Sequence, residues 1–162
     1  MDLTIKVWKD NTKLGVVVTK PNENTLTMMP VRSLIYVQKK YGLKSGDILC
    51  KVRNKPHFIL ASHHETEEMD VLLGLRVNTM AEVKKQYSGT HPTTGMPTGQ
   101  FNMMLITIPA VLQVGVIQDE KSLQTDNSVY YVAERLSKDD VIEGRNIHSI
   151  QEIAGLFRVE VR

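Results

Sequence analysis

At 162 residues the chain is about one domain in size and long enough to bury a core without disulfides or a structural metal. Hydrophobic residues at 41% and charged residues at 23% match a folded globular protein and exclude a disordered one. The net charge of +2, with both signs interspersed, is too weak a bias for a dedicated nucleic-acid surface, and the single cysteine, Cys50, excludes an intrachain disulfide.

The first residues, MDLTIKVWKD, place an acid at position 2 and no basic stretch ahead of an apolar core. No secretory signal is expected, and synthesis in the cytoplasm is. In chain order, strands are expected at LTIKVW (3–8), LGVVVTK (14–20), TLTMMPV (25–31), DILCKV (47–52), HFILAS (57–62) and VLLGLRV (71–77). They continue at MMLITI (103–108), VLQVGVI (111–117), SVYYVAERL (128–136) and LFRVEVR (156–162). All are short and rich in Val, Ile, Leu and Tyr, and several alternate polar with apolar.

Turn signals separate them: Asn11 with Gly15, PNENT (21–25), Gly46-Asp47, RNKP (53–56), Asp126-Asn127 and Gly144. Cys50 sits in the alternating run DILCKV and is expected to be a small buried hydrophobe. Helix is expected only in VRSLIYVQKKYG (31–42), TMAEVKKQ (79–86) and IHSIQEIA (147–154). Pro30 would open the first and Gly42 close it, while Ile35, Tyr36 and Val37 suit a strand equally well. The longest apolar run, around 103–116, is interrupted by Thr107, Pro109 and Gln113, short of the roughly 20 apolar residues of a spanning helix, so no membrane partner is expected.

The expected fold is therefore mostly β: a barrel or sandwich of short antiparallel strands with one or two short helices and a long Gly/Pro-rich loop, SGTHPTTGMPTGQ, at 88–100. It forms a single β-rich domain over 1–162, with the alternative of two interlocked halves, 1–87 and 101–162, joined by that loop. An internal echo favours two halves. LKSGDILCKVRNKPHFIL (43–60) and LSKDDVIEGRNIHSI (136–150) both read as a Leu, an acid-bearing turn, a strand, a turn with Arg and a second strand. Each half would supply part of a common barrel.

FILASHHETEEM (58–69) sets two histidines beside three glutamates and raises the question of a metal. In a regular strand His63 and His64 point to opposite faces, and HHETEE lacks the helical-turn spacing of zinc hydrolases. It is expected to be a polar hairpin turn with solvated acids, with no metal and no cofactor. No phosphate loop, dinucleotide fingerprint or nucleophile elbow occurs, and the adjacent Asp139 and Asp140 do not face one another as catalytic carboxylates must. No catalytic residue is assigned, and no enzyme is expected. A nucleic-acid-binding β-barrel is the alternative, with Tyr36, Tyr41, Lys39 and Lys40 as the stacking platform and non-specific contact with DNA.

GDILCKVRNKPHFILASH (46–63), the loop HPTTGMPTG (91–99) and the closing LFRVEVR together resemble the head-completion or head-closure proteins of tailed bacteriophages. The resemblance touches about half the chain; His91 stands where an acid is more usual, and 119–150 has no counterpart in it. It implies a structural virion protein that forms or joins a ring at the head–tail connector, synthesised in the host cytoplasm, with copies of itself and portal, adaptor or tail proteins as partners. Tail-tube, tail-terminator and capsid-decoration proteins use similar modules.

The expected interface residues are His91, Pro92, Thr93, Thr94, Gly95 and Met96 of the loop, with Met103 and Met104 beyond it. In a strand, the pairs Met28-Met29 and Met103-Met104 each send one side chain to either face, so one member meets a second core or a partner.

Overall fold

The computed structural model describes the backbone of residues 2–21, 30–90, 97–118 and 124–162, and the side chains of these except 87–90, 97–102, 115–118 and 124–127. Its strands are β1 (Leu3–Lys9), β2 (Thr12–Val18), β3 (Arg32–Gln38), β4 (Ile48–Val52), β5 (Lys55–Glu65) and β6 (Met69–Arg76). They continue as β7 (Thr79–Thr90), β8 (Pro97–Gln118), β9 (Gln124–Val132), β10 (Val141–Ile142), β11 (Arg145–Ile153) and β12 (Leu156–Val161). The strand expected at 25–31 falls largely on residues outside those described.

Antiparallel pairing closes these strands into two barrels, β1-β2-β3-β6-β5-β4 and β7-β8-β9-β12-β11-β10. Trp8 opposite Cys50 closes the first; Lys84 opposite Val141 and Val83 opposite Ile142 close the second. Each strand of the second barrel occupies the place of the strand six earlier in the first, so the fold is one topology used twice.

The sequence echo lies at equivalent places in the two barrels. The Lys44 amide donates to Asp47 Oδ2 at 2.9 Å and the Asp47 amide to the Lys44 carbonyl at 3.2 Å. The Ser137 amide donates to Asp140 Oδ2 at 2.8 Å and the Asp140 amide to the Ser137 carbonyl at 3.0 Å. Just before each turn a leucine, Leu43 or Leu136, is buried in its own barrel. The expectation of a shared barrel is thus corrected: each repeat closes on itself. The chain passes from one barrel to the other at Val77-Asn78, between β6 and β7, rather than at 88–100, on either side of which β7 and β8 of the same barrel pair, Thr90 opposite Pro97.

The expected helices are strands. In 31–42, Ile35 and Val37 enter the core while Tyr36 faces out, and only Lys39–Tyr41 turns, as a 3-10 segment ended by Gly42 at φ 60°. In 79–86, Ala81 and Val83 point inward and Met80, Glu82 and Lys84 outward, a period of 2 rather than 3.6. Residues 147–154 belong almost wholly to β11. Among the described residues, no helix is long and apolar enough to cross a membrane.

Three apolar layers hold the molecule together. Val7, Leu14, Val16, Ile35, Leu60 and Leu72 fill the first barrel; Ala81, Val83, Ala110, Tyr130, Val132 and Val159 fill the second. The third layer lies between the barrels: Ile59, Ala61 and Leu75 from the first pack with Val111, Val129, Tyr131 and Leu156 from the second. This explains two runs that do not alternate. In FILA (58–61) and VYYV (129–132) every residue is buried, because one set of side chains enters its own barrel and the other meets the neighbouring barrel.

Hydrogen bonds fix the docking. The Ser62 amide donates to the Ala154 carbonyl at 2.9 Å, and Asn78 exchanges two bonds with the backbone of Leu112, at 2.7 and 2.9 Å. Gly155 takes φ 80° in the β11–β12 turn, where an added Cβ would meet the Ser45 side chain. Gly155→Ala is therefore expected to lower stability by about 1–3 kcal/mol. Because Ser45 Oγ also accepts from the His63 amide at 3.2 Å, the comparison is made in the Ser45→Gly background, where Gly155→Ala should cost less than in the parent, keeping only the part due to φ, as read from urea midpoints. An unchanged midpoint in Gly155→Ala would contradict the docking of this turn.

Candidate functional site

Strand β8 is 22 residues long, about 70 Å at roughly 3.3 Å per residue, more than its barrel needs. Beyond Lys84, β7 loses β10 as a ladder neighbour and continues with β8 alone, through Gln86 opposite Met103 to Thr90 opposite Pro97. Lys85 and Gln86 are still tied to the barrel, the Gln86 amide donating to Asp140 Oδ1 at 3.1 Å and the Lys85 ammonium to Glu134 Oε1 at 3.2 Å and the Arg135 carbonyl at 3.1 Å; past them the two strands run on as a two-stranded ribbon.

Alternation sets what this ribbon presents. Ile108 and Ala110 point into the barrel core, so Met103 and Leu105 lie on the outer face, across from Gln86 and Lys84. Met104 has inward parity but lies beyond the core, beside Lys85, Arg135 and Leu136 at an open cleft of about 430 Å³. Met103, Met104 and Leu105 are 54%, 47% and 59% exposed. Of the expected interface residues, Met103 and Met104 are thus both exposed on one strand, whereas His91, Pro92, Thr93, Thr94, Gly95 and Met96 lie outside the described residues, as do Met28 and Met29. Sequence reasoning missed Leu105 and Met80, the latter exposed opposite Pro109. Met80's signal was available only by assigning 79–86 to a strand, whereas Leu105 shares the parity of Met103 within MMLITI, already expected to be a strand.

The expected stacking platform is not assembled. Tyr41 packs against the first barrel's core with the Lys40 ammonium 5.1 Å from its ring centre, while Tyr36 lies on the outer face of β3. Trp8 instead carries two cations, the Arg53 guanidinium at 5.2 Å and the Lys13 ammonium at 5.7 Å. Lys13 is its cross-strand neighbour, whereas Arg53 is brought to it only by barrel closure.

At one mouth of the first barrel, Ile5, Val18 and Phe58 floor a cavity of about 220 Å³ that Lys51, His57 and Arg76 also line. Burial, then the charges of Arg76 and Lys51, push the His57 imidazole below its usual range. Burial also raises the Cys50 thiol, which keeps it protonated and poorly nucleophilic near neutral pH.

Near the β5–β6 turn, a bulge breaks the ladder. Ser62 takes φ 48°, and pairing jumps from Ala61 opposite Leu73 to His64 opposite Val71. His63 Nε2 lies 3.0 Å from Asp70 Oδ1, and Glu65 stands directly opposite Asp70. His64 is exposed and belongs to the other face. The expectation that the two histidines diverge describes this arrangement, and the acids of HHETEE, Glu65, Glu67 and Glu68, are exposed as expected; the buried Asp70 of β6 lies outside that expected turn. The signal sequence reasoning passed over is the H-x-E spacing, which in a strand puts His63 and Glu65 on one face.

The chain matches no family model, no curated protein and no solved structure. Its function is therefore argued from these surfaces.

The shifted His57 yields a pH prediction. The unfolded chain binds a proton at His57 more readily than the folded one, so stability is lost as pH falls through the ordinary histidine range near 6.5 toward the lower folded value. His57→Asn should therefore lose less stability than the parent between about pH 7 and pH 5, compared by urea midpoints at each pH. Identical pH profiles would contradict this environment for His57.

Proposed function

We propose that the chain is a structural assembly subunit of a virion that associates with copies of itself into a ring at the head–tail connector, through the β7–β8 ribbon. Its role there is head closure or completion, without catalysis, and the ring faces of its neighbours are portal, adaptor or tail proteins. The tail-tube, tail-terminator and decoration roles would use the same docking surface.

One observation carries this reading. Met103, Met104 and Leu105 stand exposed in succession, on both faces of a strand that leaves its barrel with a single ladder neighbour. Apolar side chains on both faces of a two-stranded ribbon have no core of their own to enter, and an isolated ribbon of this kind is marginal in water. A neighbouring subunit supplies the missing cover. Methionine and leucine suit such a contact because unbranched or flexible side chains adapt to the surface they meet.

A ring follows from the asymmetry of the contact. The ribbon is at one side of the second barrel and meets a different patch on the next subunit, which is a heterologous interface that closes if the rotation permits. The resemblance of the 46–63 hairpin and the 91–99 loop to head-completion proteins supports the same assignment.

The purified protein is expected to show a concentration-dependent rise in mass by light scattering, reaching a fixed multiple of the 18.3 kDa chain. The pair Met103→Ser and Leu105→Ser should weaken association at least tenfold while leaving the unfolding free energy from urea titration within about 0.5 kcal/mol of the parent, because both positions are exposed. A parent that stays monomeric at every concentration, or a double variant that associates like the parent, would count against the proposal.

A further inference from the structure

We propose that His63, Glu65 and Asp70 form a binding site for a divalent transition-metal ion, of the zinc class, at the end of the first barrel where β5 turns into β6. This is independent of the assembly reading and uses none of the ribbon.

The geometry comes from the bulge. Without the extra residue at Ser62, the β5 side chains beyond Ala61 would keep the parity of the earlier rungs; with it, His63 and Glu65 come to the face of β5 that meets Asp70 on β6. One potential donor atom from each of the three residues lies within 4.8 Å of the other two. Ligands bound to zinc at roughly 2.0–2.2 Å sit about 3.3 Å apart in a tetrahedral shell. His63 Nε2 and Asp70 Oδ1 are already at 3.0 Å. Only Glu65 must draw in, and it is exposed, with a side chain long enough to do so.

Two of the three donors are held in advance. Asp70 is buried, its side chain only 6% exposed, and its one side-chain partner among the described residues is the His63 ring. A divalent cation placed between them would take a donor atom from each and bring positive charge to the buried carboxylate. His63 is anchored through its backbone: its amide donates to Ser45 Oγ at 3.2 Å, and the amide before it donates to the Ala154 carbonyl of the second barrel. Preorganised donors cost less to bring together than free ones, and here the anchoring runs through the junction of the barrels.

The duplicated topology shows that the barrel does not need this extension. β11 and β12, the counterparts of β5 and β6, have 9 and 6 residues against 11 and 8. Their hairpin ends at Ile153 opposite Leu156, in a tight turn through Ala154 and Gly155. Counted from the preceding β4–β5 and β10–β11 turns, the additional rungs of the first barrel are those that hold Glu65 and Asp70. One imidazole and two carboxylates leave at least one coordination position for water, since three protein donors do not complete a tetrahedral shell.

The test is a Zn²⁺ titration of the full chain after chelator treatment, followed by calorimetry and by metal content after gel filtration. The expected result is one Zn²⁺ per chain, weakened at least tenfold in Glu65→Gln and in His63→Gln, and unchanged in His64→Gln, whose side chain faces away. Asp70→Asn should lose binding as well, but Glu65 is the safer position because it is exposed and its substitution leaves the fold intact. Zn²⁺ should also raise the melting temperature of the parent and not that of Glu65→Gln. No uptake by the parent, or equal uptake by parent and Glu65→Gln, would overturn the proposal; loss of binding in His64→Gln alone would assign the ion to the outer face and overturn it equally.

Discussion

The apolar layer shared between the barrels is the constraint on which the remaining structure depends. A six-stranded barrel of this size buries one face of each strand, and a chain with two such barrels would ordinarily read as alternating throughout. Here Ile59, Ala61 and Leu75 cannot face water, and neither can Val111, Val129, Tyr131 and Leu156; each set is the other's cover. Fully burying aliphatic or aromatic side chains contributes about 1.5–3 kcal/mol apiece, so this layer is comparable to a small core. It places the β11–β12 turn of the second barrel against Ser45 and Ser62 of the first, and so sets the backbone on which His63 stands.

Much of the fold is legible in the residues. The period-2 runs and the turn signals lead to short antiparallel strands, and the repeated Leu and Asp of 43–47 and 136–140 lead to a duplication. What sequence could not convey is closure. Whether two repeats share one barrel or close separately depends on which strand edges meet, and nothing local distinguishes Trp8 opposite Cys50 from any other pairing. The helix assignments failed for a related reason. VRSLIYVQKK and TMAEVKKQ contain enough Leu, Ala, Lys and Gln to satisfy helix propensity, but Ile35, Val37, Ala81 and Val83 each find a core on one side only, and tertiary burial overrode the local preference.

The candidate surfaces were unevenly visible. Met103 and Met104 attract attention because adjacent apolar residues on a strand cannot share a core, and both are exposed. The His63 cluster was hidden by a correct rule applied to a regular strand: adjacent histidines do diverge, yet the bulge brings His63, Glu65 and Asp70 together across the turn. A positive φ at Ser62 carries no mark in the sequence, since serine is not a residue that favours it. The mouth of the first barrel, with Lys51, His57 and Arg76, assembles side chains from three strands and had no sequence signature at all.

The proposed docking ribbon is tested most directly by hydrogen exchange of the backbone amides of β7 and β8 as protein concentration rises. Amides in a two-stranded ribbon open readily on their own, whereas those covered by a neighbour do not. The account predicts that exchange at Met103 and Met104 slows at concentrations where the mass rises, while Gln86, whose amide is held by Asp140, and the core rungs around Val83 and Ile106 stay unchanged. Association accompanied by slowing elsewhere, with the ribbon exchanging as freely as in the monomer, would contradict it.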